Sequence, residues 1–475
     1  MQALFFASAL AGLMVGAGSL AAGTPPVPCP EIPKALCGTL RVPEDRAAAG
    51  GRVLDLDYVV FPARRQETAP PLFYLLGGPG EAAASIAPFV ERSPFADLLD
   101  HRALVLLDQR GTGGSHRLQC PPPAAAARHF GHIFDPEDAA ACRAELSAKA
   151  DLRLYTTTIA VDDLDALRAA LGYEHIVLWG GSYGTRVAME YLRRHGDHVD
   201  RVILDAVSGL DGLMPLYFAY DAQRAFDRVV ADCASEPQCA EAFPSLARTF
   251  DAVLDRLREG PVRAAIRFGD DNGPVEVPFS LGDFGYTIRG MLYDRQLTAR
   301  LPAMLELAFR TGDLARFAQE YYRRSSTLGD DLANGMYLSV VCAEDVPFIT
   351  DDAALRWSAG TFLGTYLVEE YRRACSQWVR GEIPVDYHDI VVSDAPVLIL
   401  SGGRDPSTPP RWGEKAAGGL PNGRHIVFPA GGHGVGDTPC GVGIMRSFLA
   451  GTHPAKLDAA CASSEAERTP FRTTP

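Results

Sequence analysis

The residues best suited to chemistry lie in one short run, Gly180-Gly181-Ser182-Tyr183-Gly184, which fits Gly-x-Ser-x-Gly. In that pattern the serine sits on a strand-to-helix turn so tight that flanking glycines are needed to avoid Cβ clashes. The context agrees. Ile176, Val177, Leu178 and Trp179 form an apolar run of β-formers, and Val187, Ala188, Tyr191 and Leu192 follow at helical spacing. Ser182 would then stand at a helix N-terminus, where backbone N–H groups and the helix dipole favour developing negative charge. A single match carries little weight in a chain with 46 glycines, so partners must be sought elsewhere.

A serine hydroxyl needs a base, and the base needs an orienting acid. Asp405 and His433 fill these positions, each in a loop just after an expected strand. Glycines flank His433 and would let it reach over the serine. Asp205, which ends the strand after the serine turn, is the rival acid. The Gly-Arg-Asp-x-x-x-Pro context favours Asp405 and leaves Asp205 to brace the start of the next segment. Gly77-Gly78-Pro79-Gly80 follows the apolar run 72–76. A glycine N–H there can approach a substrate oxygen unobstructed, so Gly78 and Tyr183 are the candidate oxyanion donors. Asp108 and Arg110, at the end of the run 103–107, read as a buried pair bracing the neighbouring loops.

These positions require a particular scaffold. Residues 37–43 and 53–61 read as a β-hairpin. Strands are expected at 72–76, 103–107, 176–179 and 201–207, with a helix over 157–171 that stops at Gly172. Strands and helices alternate, so the fold class is α/β, with a mostly parallel sheet and helices on both faces. From about 210 to 390 the pattern changes to amphipathic helices at 217–233, 247–259, 302–311, 314–325 and 352–362. A strand-like run at 263–268 interrupts them. This reads as a helical cap, inserted between core segments 24–209 and 391–475.

The chain has 475 residues, 47% hydrophobic and 22% charged, with a formal net charge of −14. That length supports a large core, and the absence of a basic stripe excludes nucleic acid as an expected partner. Residues 1–23 are almost wholly apolar and small, as in a signal peptide, with Ser19-Leu20-Ala21 a candidate cleavage site. The segment lacks the Lys or Arg that a signal peptide's start would carry, and the alternative is an uncleaved anchor, since about 20 apolar residues can span a bilayer. No stable membrane partner is expected after cleavage, and oligomeric state is left open. The ten cysteines form sequence-local couples without a Cys-x-x-Cys pattern. With export this reads as disulfides, expected at 29–37, 120–142, 233–239, 342–375 and 440–461.

Taken together, these motifs resemble the secreted α/β-hydrolase exopeptidases related to proline iminopeptidase and tripeptidyl aminopeptidase. The resemblance is carried by Gly77 to Gly80, Asp108 to Gly113, Gly180 to Thr185, Gly403-Arg404-Asp405 and Gly432-His433. The chain order Ser182, Asp405, His433 is the one such hydrolases use. Leu76 stands where the proline iminopeptidase pattern has histidine, which is nearer the tripeptidyl branch. The resemblance implies an α/β-hydrolase fold and release of short N-terminal fragments from peptides with a free N-terminus. It implies no metal or organic cofactor. It also implies acidic cap residues that bind the substrate's α-amino group, for which Glu344 and Asp345 are the candidates. An esterase acting on small esters is the alternative.

Overall fold

The computed structural model describes residues 25–121, 130–268, 273–464 and 469–474. The expected leader, residues 1–23, lies outside them. Nine strands form the main sheet: β1 (Val27–Pro28), β2 (Leu36–Pro43), β3 (Val53–Phe61), β4 (Leu72–Leu75), β5 (Leu104–Leu107), β6 (Ile176–Gly181), β7 (Val199–Asp205), β10 (Val397–Gly402) and β11 (Gly423–Phe428). A separate two-stranded sheet pairs β8 (Val262–Ile266) with β9 (Val275–Phe279). The order across the main sheet is β1-β2-β3-β5-β4-β6-β7-β10-β11. From β5 to β11 all pairings are parallel, and β1, β2 and β3 add an antiparallel edge.

Both faces of the sheet are covered, and the side chains alternate accordingly. On β6, Ile176 and Leu178 join the core beneath the helices Thr157–Ala170 and Tyr183–His195. Val177 and Trp179 join the opposite core, with residues of 83–99 and the helix Pro439–Leu449. A strand buried on both sides must be apolar throughout, and that is why these strands were legible as continuous apolar runs.

The expected helices are present, displaced by a few residues. One begins earlier than expected, because Pro302 lies inside the helix Arg295–Thr311 rather than at its start. Asp294 caps that helix by accepting from the N–H groups of Gln296 and Leu297. Strand β9 escaped the sequence reading because Pro278 marks a sheet edge.

The segment 210–390 is helical but does not pack as one unit. Residues 219–321 and 362–367 contribute to a cap core of their own, with Phe250, Phe284 and Phe317 inside it. Ala333, Met336, Val340, Val341 and Cys342 instead join the main core, with Tyr371 and Tyr387. The helix Asn334–Glu344 is therefore part of the foundation of the sheet. All five disulfides pair as expected: Cys29–Cys37, Cys120–Cys142, Cys233–Cys239, Cys342–Cys375 and Cys440–Cys461. No described helix is long and apolar enough to cross a membrane.

Candidate active site

Ser182 sits between β6 and its helix with φ at +53°, a left-handed conformation that a non-glycine residue adopts only when its surroundings enforce it. The enforcement is visible. A Cβ on Gly180 would lie 2.3 Å from the Gly184 carbonyl oxygen, and one on Gly184 would lie 1.9 Å from that of Leu75. The Ser182 N–H donates to the Asp205 carbonyl at 3.0 Å. Its own carbonyl accepts from the Thr185 hydroxyl at 2.6 Å.

His433 lies in the loop after β11. Its Nδ1 is 2.9 Å from Asp405 Oδ2, in the loop after β10. Asp405 also accepts from the N–H groups of Ser407 and Thr408 and from the Thr408 hydroxyl at 2.6 Å. The same hydroxyl is 3.1 Å from His433 Nδ1, so Thr408 braces acid and base together. Thr408 was missed in sequence, where a threonine near Asp405 gave no signal beyond its spacing.

Ser182, Tyr183, Gly78 and His433 line one cavity of about 690 Å³ between core and cap. A Cβ on Gly77 would touch Ser182 Cβ at 3.2 Å, so the glycine loop lies directly against the nucleophile turn. Gly78 has φ +105° and no room for a side chain, since a Cβ would come 2.7 Å from the Gly80 nitrogen.

Burial pulls the His433 imidazole toward neutrality, but the charge of Asp405 and its hydrogen bond outweigh this and raise the pKa above the ordinary value. Asp405 is held below its ordinary value, burial being outweighed by His433 and the Thr408 bonds. A base must be neutral to accept a proton, so activity is lost as pH falls through the raised imidazole pKa. The acid limb of kcat/KM is expected above pH ~6.5, the ordinary histidine value. Asp405→Asn should move that limb to lower pH while reducing kcat. An acid limb left in place by Asp405→Asn would show that another group sets it. Stability runs the opposite way: the contribution from His433 is present below the ordinary imidazole pKa and fades as pH rises through the folded one.

Asp205, the rival acid, is not hydrogen-bonded to the imidazole, though its nearby charge adds to the rise in the His433 pKa. It accepts from the N–H groups of Val435 at 3.0 Å and Gly436 at 2.8 Å, so it shapes the loop that carries His433. It braces that loop rather than the start of the helical segment. Burial pushes its pKa up to about 6 despite those bonds. Asp108 and Arg110 are buried but not paired with each other. Asp108 accepts from the N–H groups of Ala84 and Gly114, and Arg110 binds Asp163.

Glu344 and Asp345 are not at the cavity. Both are fully buried beneath the helix of Ser182. Glu344 accepts from the Thr157 N–H at 2.6 Å and hydroxyl at 2.9 Å, and from the Tyr387 hydroxyl. Asp345 takes both oxygens to Arg186 Nη1, at 2.9 and 3.0 Å. Arg186 lies in the first turn after Ser182, so the two carboxylates anchor the nucleophile helix from below. The expectation that they receive a substrate amine is corrected: an interior ion pair leaves them no path to a ligand. Burial raises the Asp345 pKa to about 7, with Arg186 opposing and Glu344 adding to the rise.

The cavity wall does carry carboxylates: Glu81, Asp135 and Asp138. A Cβ on Gly77 would lie 3.4 Å from Glu81 Oε2 as well as against Ser182, so Glu81 is next to the nucleophile. Among the described residues no group of three or more His, Cys, Asp or Glu is arranged to hold a metal ion.

The nine-stranded, mostly parallel sheet is less telling than what sits on it: a strained serine after a central strand, with a histidine–aspartate couple in two later loops, defines a serine hydrolase with the α/β-hydrolase fold. The α/β-hydrolase fold model matches residues 70–242, and a model described as TAP-like protein matches residues 360–461. The chain is 27% identical to the protein named serine protease Hip1 of Mycobacterium tuberculosis, over 88% of this chain and 86% of that one. It is equally 27% identical to carboxylesterase B of the same species, over 89% and 86%. Tripeptidyl aminopeptidase of Streptomyces lividans is 29% identical over 37% of this chain and 36% of its own.

Proposed function

We propose that this chain is an exported serine aminopeptidase that removes short N-terminal fragments from peptides. Ser182 attacks the scissile carbonyl as His433, oriented by Asp405, takes its proton. The N–H groups of Gly78 and Tyr183 hold the oxyanion. His433 then protonates the leaving amine, and water hydrolyses the acyl-enzyme. Export is supported by the five disulfides, since such bonds persist in oxidising compartments.

One observation carries the exopeptidase reading: Glu81 borders the nucleophile on the wall of a cavity sized for a small ligand. A carboxylate there suits the ammonium group of a substrate N-terminus. Recognition of the amine thus passes to Glu81 from Glu344 and Asp345. The esterase reading is kept because the relative named carboxylesterase B is as similar as the one named a serine protease.

The test is a matched substrate set: free-amine peptides releasing one, two or three residues, their N-acetylated twins, and a short-chain ester. Free-amine peptides should be preferred over their twins by about 30-fold or more, the scale of losing one partner of a close charge pair. Glu81→Gln should erase that preference. Ester turnover without peptide turnover would establish the esterase instead.

A further inference from the structure

Arg289 differs from the other buried arginines. Arg110, Arg168 and Arg186 each pair with a carboxylate, and Arg102 donates to two backbone carbonyls. Arg289, on the cap helix Leu281–Met291, is only 8% exposed and forms no ion pair among the described residues. Its Nη2 donates to the Tyr293 hydroxyl at 2.8 Å and to Ser407 Oγ at 3.1 Å. Its Nε is buried with no partner. Aromatic faces supply the rest of its surroundings, with Cζ 4.1 Å from the Phe218 ring centroid and 5.3 Å from that of Tyr293.

A guanidinium cannot shed its proton to escape burial. An unbalanced buried charge is costly, and neither π faces nor hydroxyls neutralise it. Arg289 lines the same cavity as Ser182 and His433, so the missing anion can come from a ligand. Its position says which part of the ligand. The Tyr293 ring packs edge-on against His433, with centroids 5.0 Å apart. In serine-hydrolase chemistry the histidine delivers its proton to the leaving group. Arg289 is thus joined through Tyr293 to the residue that would protonate the leaving group.

We propose that Arg289 binds a carboxylate on the leaving half of the substrate. That carboxylate is either the C-terminus of a short peptide or an acidic side chain following the scissile bond. The identity of the substrate rests on the aminopeptidase reading, whereas the anion subsite does not. Carboxylate recognition would make the enzyme a finisher of short peptides, consuming what endoproteolysis supplies.

Four peptides with one free-amine acyl half and different leaving halves test it: alanine, alanine amide, glutamate α-amide and glutamine α-amide. Alanine over its amide reads the C-terminus, and glutamate over glutamine reads the side chain. At least one ratio of kcat/KM should reach about 30-fold in the wild type, the scale of a truncated buried charge pair. In Arg289→Gln, checked for folding by thermal melting, that ratio should fall to about one. Equal kcat/KM for all four peptides in the wild type would overturn the proposal with no variant needed, as would a preference that survives Arg289→Gln. If no peptide is turned over, the aminopeptidase reading has failed, and 4-acetoxybenzoate against its methyl ester reads the same subsite. A preference for the charged ester that Arg289→Gln removes would still support it, and its absence would overturn it. Should Arg289→Gln not fold, Arg289→Lys keeps the charge but loses the fork, and the wild-type ratios decide.

Discussion

Ser182→Ala is expected to lower kcat by about 10⁴–10⁶-fold on every substrate while the protein stays folded. The strained turn does not depend on the hydroxyl. It is held by the Ser182 N–H donating to Asp205, by the Ser182 carbonyl accepting from Thr185, and by the close backbone contacts at Gly180 and Gly184. Alanine keeps all of these. His433→Ala should cost a similar factor, and the double variant little more, because nucleophile and base act as a unit. The measurement pairs steady-state kcat with covalent labelling by a fluorophosphonate. The wild type should label once, at Ser182, and Ser182→Ala not at all. Activity retained within tenfold, or label on another serine, would remove Ser182 from the mechanism.

Glu344→Ala should destabilise the fold by about 3–5 kcal/mol, the usual cost of removing one partner from a buried charged cluster. It would leave the Thr157 N–H, the Tyr387 hydroxyl and part of the Arg186 charge without an acceptor. The same position distinguishes structure from specificity. If Glu344 received the substrate amine, Glu344→Gln would damage turnover of free-amine peptides and spare a simple ester. Because it lies under the nucleophile helix, the expected losses on peptide and ester are equal. Denaturant melts and paired kinetics check both statements. A selective loss on free-amine peptides with undiminished stability would return Glu344 to the binding site.

The two carboxylates show where a linear reading reaches its limit. Glu344 and Asp345 sit beside a disulfide in a segment expected as cap, and two adjacent acids there look like a site. Whether they face a cavity or the core depends on where the helix Asn334–Glu344 packs. Arg186, 158 positions before Glu344 in the sequence, decides that by pulling both acids beneath the sheet's own helix. Nothing local to either stretch predicts the pairing. Arg289 is the converse. In sequence it is an unremarked arginine outside every expected helix, and only the folded chain places it on the helix Leu281–Met291 with no carboxylate among the described residues paired to it.

By itself the sequence determined the sheet, its alternation with helices, and the loops bearing Ser182, Asp405 and His433, and its sequence-local cysteine couples anticipated pairings that the structure then showed. Those features are written in short-range patterns: apolar runs for strands buried on both faces, glycines where no Cβ fits, cysteines close in sequence. Tertiary structure alone decided that Thr408 touches both acid and base, that Asp205 shapes the His433 loop, that Glu81 borders the nucleophile, and that the helix Asn334–Glu344 of the expected cap belongs to the core. Each of these depends on contacts between segments far apart in the chain. Such contacts follow from how the layers pack, which periodicity and motif spacing do not encode.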